Sequence, residues 1–210
     1  MTIRHHISDQ LLMGYSAGQL PEAFNLVVAV HLSMCDDCKS RLGAFDAVGG
    51  ALMDDCDVAM AGDSLAATMD RLTRTTPAVP RRASSVLPSP LMDYIGGDLD
   101  AVKWRSIGMG VRQAILPTEK GATARLLYIP AGQKVPDHGH RGTELTLVLQ
   151  GAFRDETDRF GPGDLEIADE DLNHQPIAEA GADCICLAAT DAPLRFNGVL
   201  QRLAQPFFRI

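Results

Sequence analysis

Two successive domains, a small all-α unit and then an all-β unit, are what this 210-residue sequence predicts. Apolar residues recur at helical spacing through the first 75 positions, a run of prolines follows, and beyond it the apolar residues come in short β-branched and aliphatic stretches parted by turn residues. In the first unit Ser8 is placed to cap a helix whose Leu11, Leu12 and Tyr15 share a face before Gly18, and Pro21 stands where a first-turn proline is tolerated ahead of Leu26, Val27 and Val30. A last helix is expected from Asp63 or Ser64 to about Arg74, with Leu65, Met69 and Leu72 forming a stripe against a small core. The text from Thr75 to Pro90, TTPAVPRRASSVLPSP, disfavours helix at Pro77, Pro80, Pro88 and Pro90 and predicts a solvated linker that decouples its neighbours. The boundaries are therefore 1–75, a linker at 76–90, and 91–210. Strands are expected over Val111–Leu116, Ala124–Ile129, Glu144–Leu149, Leu165–Ala168 and Cys184–Ala188.

With 46% hydrophobic and 22% charged residues, the composition is that of an ordinary globular protein and excludes disorder and disulfide-dense mini-proteins. A formal charge of −8 argues against coating nucleic acid or an anionic membrane, and favours a partner with a basic surface. The first 74 residues carry 5 basic and 10 acidic side chains, so the helical unit shares that acidity. No apolar run approaches the roughly 18 residues a spanning helix needs, and the opening Met-Thr-Ile-Arg-His-His lacks the apolar core of an export signal. A cytoplasmic setting is expected. The five cysteines, Cys35, Cys38, Cys56, Cys184 and Cys186, are odd in number and too closely paired for a disulfide framework, which turns attention to metal or redox chemistry.

Two constellations carry that chemistry. The first is His31-Leu-Ser-Met-Cys35-Asp-Asp-Cys38. On one helix these three side chains would fall within an arc of about 60°. Zinc takes four such ligands, and either His5 or His6 can supply the fourth. A redox dithiol would need a βαβ context that is missing here. A site closed by four protein ligands has no open position for chemistry, so this zinc is expected to be structural. The second constellation is Gly132-x5-His138-x-His140-x3-Glu144-x6-Gly151, followed by Gly163 and His174. It fits the cupin motifs at every spacing, with Asp169, Asp171 and Ala178 standing where proline, glycine and asparagine are common. The all-β unit is thus expected to be a cupin domain, a double-stranded β-helix or jelly-roll. Its metal ligands would be His138, His140, Glu144 and His174. This set suits zinc, iron, manganese or nickel, and a second divalent ion, zinc, is expected there.

His6, twenty-four intervening residues and then His31-x3-Cys35-x2-Cys38, in an acidic helical domain, resemble the zinc-binding anti-sigma factors of bacteria. The resemblance selects His6 over His5, so that His6, His31, Cys35 and Cys38 hold the zinc. With the cupin motifs added, the whole chain is similar to the ChrR-like family of those factors. Such a family member is not an enzyme. Its helical domain wraps an extracytoplasmic-function-type RNA polymerase sigma factor and hides the surfaces that meet core polymerase, while the cupin domain is required for release in response to singlet oxygen or related oxidants. No direct contact with nucleic acid or membrane is implied. The rival is a metal-dependent cupin oxygenase or isomerase with a helical oligomerisation domain. Cys184 and Cys186 would share one face of a strand, either as oxidant-reactive thiols or as core residues. Cys56 lies among aspartates that blunt its reactivity. Trp104 and the closing Phe207-Phe208 pair are expected to pack on the barrel or at a sheet edge, with a dimer contact as the alternative.

Overall fold

A computed structural model describes residues 2–54, 56, 58–74 and 86–196. Most of the expected linker and the Phe207-Phe208 pair lie outside the described residues. Five α-helices come first, α1 (Asp9–Ser16), α2 (Glu22–Leu32), α3 (Asp36–Asp54), α4 (Ser64–Thr73) and α5 (Ser89–Ile95). The strands are β1 (Arg105–Gly108), β2 (Val111–Ile115), β3 (Thr123–Ile129), β4 (His138–Gly139), β5 (Glu144–Gln150), β6 (Phe153–Arg154), β7 (Arg159–Phe160), β8 (Leu165–Ala168), β9 (Asn173–His174), β10 (Ile177–Ala178), β11 (Cys184–Thr190) and β12 (Arg195–Phe196). An all-α unit therefore precedes a cupin-like all-β unit. Ser8 caps α1, its hydroxyl accepting from Leu11 N at 3.3 Å. Pro88 and Pro90, read from sequence as linker, instead open α5. Proline is tolerated there because first-turn N–H groups have no intrahelical acceptor.

A six-stranded sheet in the order β1-β2-β3-β11-β5-β8, antiparallel at every neighbouring pair, forms the main wall of the barrel. One face looks into the barrel, where Ile129, Val148, Cys184 and Cys186 cluster with Phe153 and Phe160. The other carries Leu126, Leu145, Leu147, Ile185 and Leu187, and these join Val27, Val28 and Val30 in one hydrophobic cluster with the helices. Helix α2 thus lies on the outer face of the sheet, so the halves share a core and are not decoupled as the linker composition suggested. Three fully buried valines at about 1.5–3 kcal/mol each outweigh the freedom that a proline-rich connection allows. At its N-terminus, Glu22 accepts from Tyr94 Oη at 2.6 Å and from the Glu119 amide, tying α2 to α5 and to the turn between β2 and β3. Trp104 packs partly buried on the same core, edge-on to Tyr128.

The stripe on α4 differs from its expectation. Leu65, Met69 and Leu72 are 74%, 55% and 72% exposed and cover no core. Val48, Leu52 and Met53 near the end of α3 and Val58 and Met60 in the following loop are exposed as well. The end of α3, residues 58–60 and α4 thus each present apolar side chains that nothing among the described residues covers.

Candidate metal centres

In the helical unit the sequence breaks the helix between His31 and Cys38. His31 lies in the last turn of α2, Cys35 caps α3 with its thiol 3.5 Å from the Cys38 amide, and Cys38 sits in the first turn of α3. The three residues therefore do not share one helix face, as an unbroken helix would require; the turn at Ser33–Met34 brings them together instead. His31 Nε2 is 3.3 Å from Cys38 Sγ, and His6 Nδ1 is 3.3 Å from Cys35 Sγ and 3.5 Å from Cys38 Sγ. A tetrahedron built on zinc bonds of about 2.0 Å to nitrogen and 2.3 Å to sulfur has edges of about 3.3–3.8 Å, so the donors fit such an ion in spacing as well as in kind. Burial pushes His31 down to about 4, assisted by His6 and opposed by the Gly163 backbone and Asp164, and the ring stays neutral as a ligand must. Burial likewise raises the Cys38 thiol, while the Ile7 backbone and Arg41 pull it down. Arg41 Nη1 is 3.8 Å from that sulfur and 3.0 Å from the Ile7 carbonyl, which makes it a positive neighbour for thiolate charge.

His5, the alternative fourth ligand, points elsewhere. Its ring lies 3.1 Å from Asp158 and 4.4 Å, centroid to centroid, from Phe160 in the barrel. Only His6 joins the cluster.

The barrel cluster is made by register. His138 on β4 pairs directly across from His174 on β9, and Phe196 on β12 flanks His138 on its other side. His140 follows just past β4, and its Nε2 is 3.3 Å from His174 Nε2. Gly151, where the chain leaves β5, has φ of +70° and would carry a Cβ 2.5 Å from the Asp183 carbonyl, so a side chain is excluded there. His138 Nδ1 donates to the Pro136 carbonyl at 2.9 Å, which leaves Nε2 as the ligand nitrogen. Burial lowers His138 and brings His140 to about 4, against the pull of Glu144 on both. Glu144 stands at the edge of the group, 3.8 Å from His140 Nδ1, and accepts from Thr146 Oγ1 at 3.0 Å. The three imidazoles therefore converge closely and the carboxylate borders them. His138, His174 and Glu144 open on a cavity of about 370 Å³ whose walls include Leu127, Ile129, Val135, Phe153 and Cys186.

Two carboxylates that sequence reasoning missed stand behind His174. Its Nδ1 is 2.7 Å from Asp155 Oδ2 and 3.2 Å from Glu166 Oε1. Burial opposes charge on His174, yet the two acids outweigh it and raise the ring to about 9, while burial raises Glu166 to about 7. The two acids hold a proton on Nδ1 and leave Nε2 facing His140, so a metal bound at Nε2 would displace the second proton that the raised value implies. The visible signal was an acid at position 166 within the otherwise apolar strand Leu-Glu-Ile-Ala. Cys184 and Cys186 both face the barrel interior, buried, with sulfurs 3.5 Å apart. The Cys184 contact and burial raise the Cys186 thiol well above its usual range, which suppresses the thiolate needed for reactivity. Cys56 is exposed and distant in sequence from both clusters.

Residues 93–192 match the family described as the ChrR cupin-like domain. The "Anti-sigma-E factor ChrR" of Cereibacter sphaeroides is 66% identical over 213 residues, covering 100% of both chains. The chain belongs to the ChrR family of anti-sigma factors. A crystal structure described as Rhodobacter sphaeroides SigE in complex with the anti-sigma ChrR aligns with a TM-score of 0.80 at 63% identity, over 90% of this chain and 100% of that one. Membership in the ChrR family places the protein among regulators and not among cupin enzymes. Among the described residues no helix is long and apolar enough to cross a membrane.

Proposed function

We propose that this protein binds and silences an extracytoplasmic-function-type sigma factor through residues 1–75, and that residues 91–210 receive the oxidant signal that ends the inhibition. The observation that carries this reading is the bare apolar surface of α4 and the end of α3, with Leu65 and Leu72 about three-quarters exposed. Such a surface on a −8 protein suits a partner that offers an apolar groove within a basic surround. Zinc held by His6, Cys35, Cys38 and His31 would fasten the amino-terminal segment to α2 and α3, in a unit whose α4 buries nothing itself. In the barrel, His138, His140, His174 and Glu144 would hold a second divalent ion, zinc by preference. Asp155 and Glu166 keep the His174 Nδ1 proton in place, and the Pro136 carbonyl does the same for His138. The protein would act in the cytoplasm, where its partner meets polymerase, and singlet oxygen or a related oxidant is the proposed signal.

A sigma-dependent reporter in cells exposed to light and photosensitiser tests the division of labour. The wild type is expected to give low activity in the dark and induction in the light. In His140→Ala and Glu144→Ala the ratio of lit to dark activity falls to near one. Full induction in both variants would remove the receiver role from this cluster, and loss of induction only in a Cys184→Ser, Cys186→Ser double variant would move it to the thiols.

A further inference from the structure

The segment that carries His6 is not held by the helices alone. Asp164 Oδ1 accepts from the Arg4 amide at 2.6 Å and from the His5 amide at 3.0 Å, and the Leu165 amide donates to the His5 carbonyl at 3.1 Å. Residues 4 and 5 therefore bond, backbone to barrel, at the start of β8. Ile3 lies directly beneath Gly163, which has φ of +88° and where an added Cβ would stand 2.7 Å from the isoleucine side chain. Burial opposes the Asp164 charge, but the amides of Arg4, His5 and Gly161 outweigh it and hold the carboxyl below its usual range.

One residue beyond this dock, on the amino-terminal segment and on β8 alike, stands a residue that reaches a metal cluster. His6, next to His5, reaches Cys35 and Cys38, whereas Glu166, next to Leu165, reaches His174. A second bridge runs through the turn before β7, in which Asp155 holds His174 and Asp158 holds the His5 ring. Both clusters thus hang on the same two short pieces of backbone, 155–158 and 164–166. A packed strand of this kind shifts as a unit, since Glu166 is buried and a displacement that withdraws it from His174 leaves its carboxylate without that partner, while Asp155 stays on the ring.

We propose that the Asp164–Glu166 strand start couples the two metal clusters, so that emptying the barrel cluster loosens the helical one. The proposal rests on the reading that both clusters hold metal. Coupling between sites on one protein amounts typically to five- to 150-fold in affinity and acts equally in both directions.

The test uses the full-length protein, with metal counted by mass spectrometry, and follows iodoacetamide alkylation of Cys35 and Cys38 peptide by peptide. Two equivalents of metal are expected in the wild type and one in His140→Ala. Alkylation at Cys35 and Cys38 should be about tenfold faster in His140→Ala than in the wild type. In an Ile3→Ala or Asp164→Asn background alkylation should be fast already, and adding His140→Ala should change it little. Should Asp164→Asn fail to fold, Ile3→Ala carries the comparison, because it trims the docked segment and leaves the barrel turn intact. Equal alkylation rates in the wild type and in a one-metal His140→Ala protein would overturn the coupling while leaving the two-metal reading in place. So would a His140→Ala effect that persists undiminished in the Ile3→Ala background. A single equivalent in the wild type would overturn both.

Discussion

Replacing Cys38 by serine is expected to abolish metal binding in the helical unit and to unfold α1 and α3, with the metal content falling by one equivalent. Cys38 is fully buried and its sulfur touches His31, His6 and Arg41, so no other donor can take its place. Structural zinc sites of this class supply about 10–16 kcal/mol to their folds, and whole domains are stable by only about 5–15 kcal/mol. Loss of even a third of that contribution exceeds what α1 and α3 can replace by contacts with each other, since Cys38 is the sole buried residue of α3. The expected readings are a loss of helical circular dichroism together with a separate, retained transition for the barrel. A Cys38→Ser protein that keeps both metals and its full helical signal would refute the assignment of this cluster.

The second large effect concerns binding and leaves the fold alone. A Leu65→Asp, Leu72→Asp double variant should melt within about 0.5 kcal/mol per site of the wild type, because both side chains are already solvated in the free protein. Its affinity for the sigma factor should fall about a thousandfold, on the basis of about 2 kcal/mol for each buried anchor at an interface. Calorimetry on the purified partners measures both quantities. An affinity within threefold of wild type would show that the α4 stripe does not form the contact, and would direct attention to the exposed end of α3 at Val48, Leu52 and Met53.

Elements with strong local signals were legible in the sequence. Ser8 marks the start of α1, α4 (Ser64–Thr73) lies within one residue of its expected bounds, and Leu165–Ala168 forms the expected strand. Ligand chemistry fixes residue type and spacing for seven of the eight motif residues, while His6 was chosen over His5 by the family resemblance; the structure brings all but Glu144 into two tight groups, with Glu144 at the edge of the second. Three features were not legible, each because it depends on tertiary context. The stripe Leu65, Met69, Leu72 has the period of a buried face, and periodicity cannot tell a core from a docking surface. The covering of the sheet by α2 was masked by the prolines between them, although Cys184–Thr190 reads as a nearly unbroken apolar run, which is the mark of a strand buried on both faces. The acids Asp155, Asp164 and Glu166 belong to no short motif, and their roles appear only once the amino terminus and His174 are in place around them.

The most direct test of the central claim is transcription in vitro from a sigma-dependent promoter, with core polymerase, the cognate sigma factor and the full-length, metal-loaded protein. The expected result is that one equivalent of the protein per sigma factor reduces transcript to background, while the same amount of the Leu65→Asp, Leu72→Asp variant leaves it unchanged. Undiminished transcription in the presence of excess folded, metal-loaded wild-type protein would contradict the account.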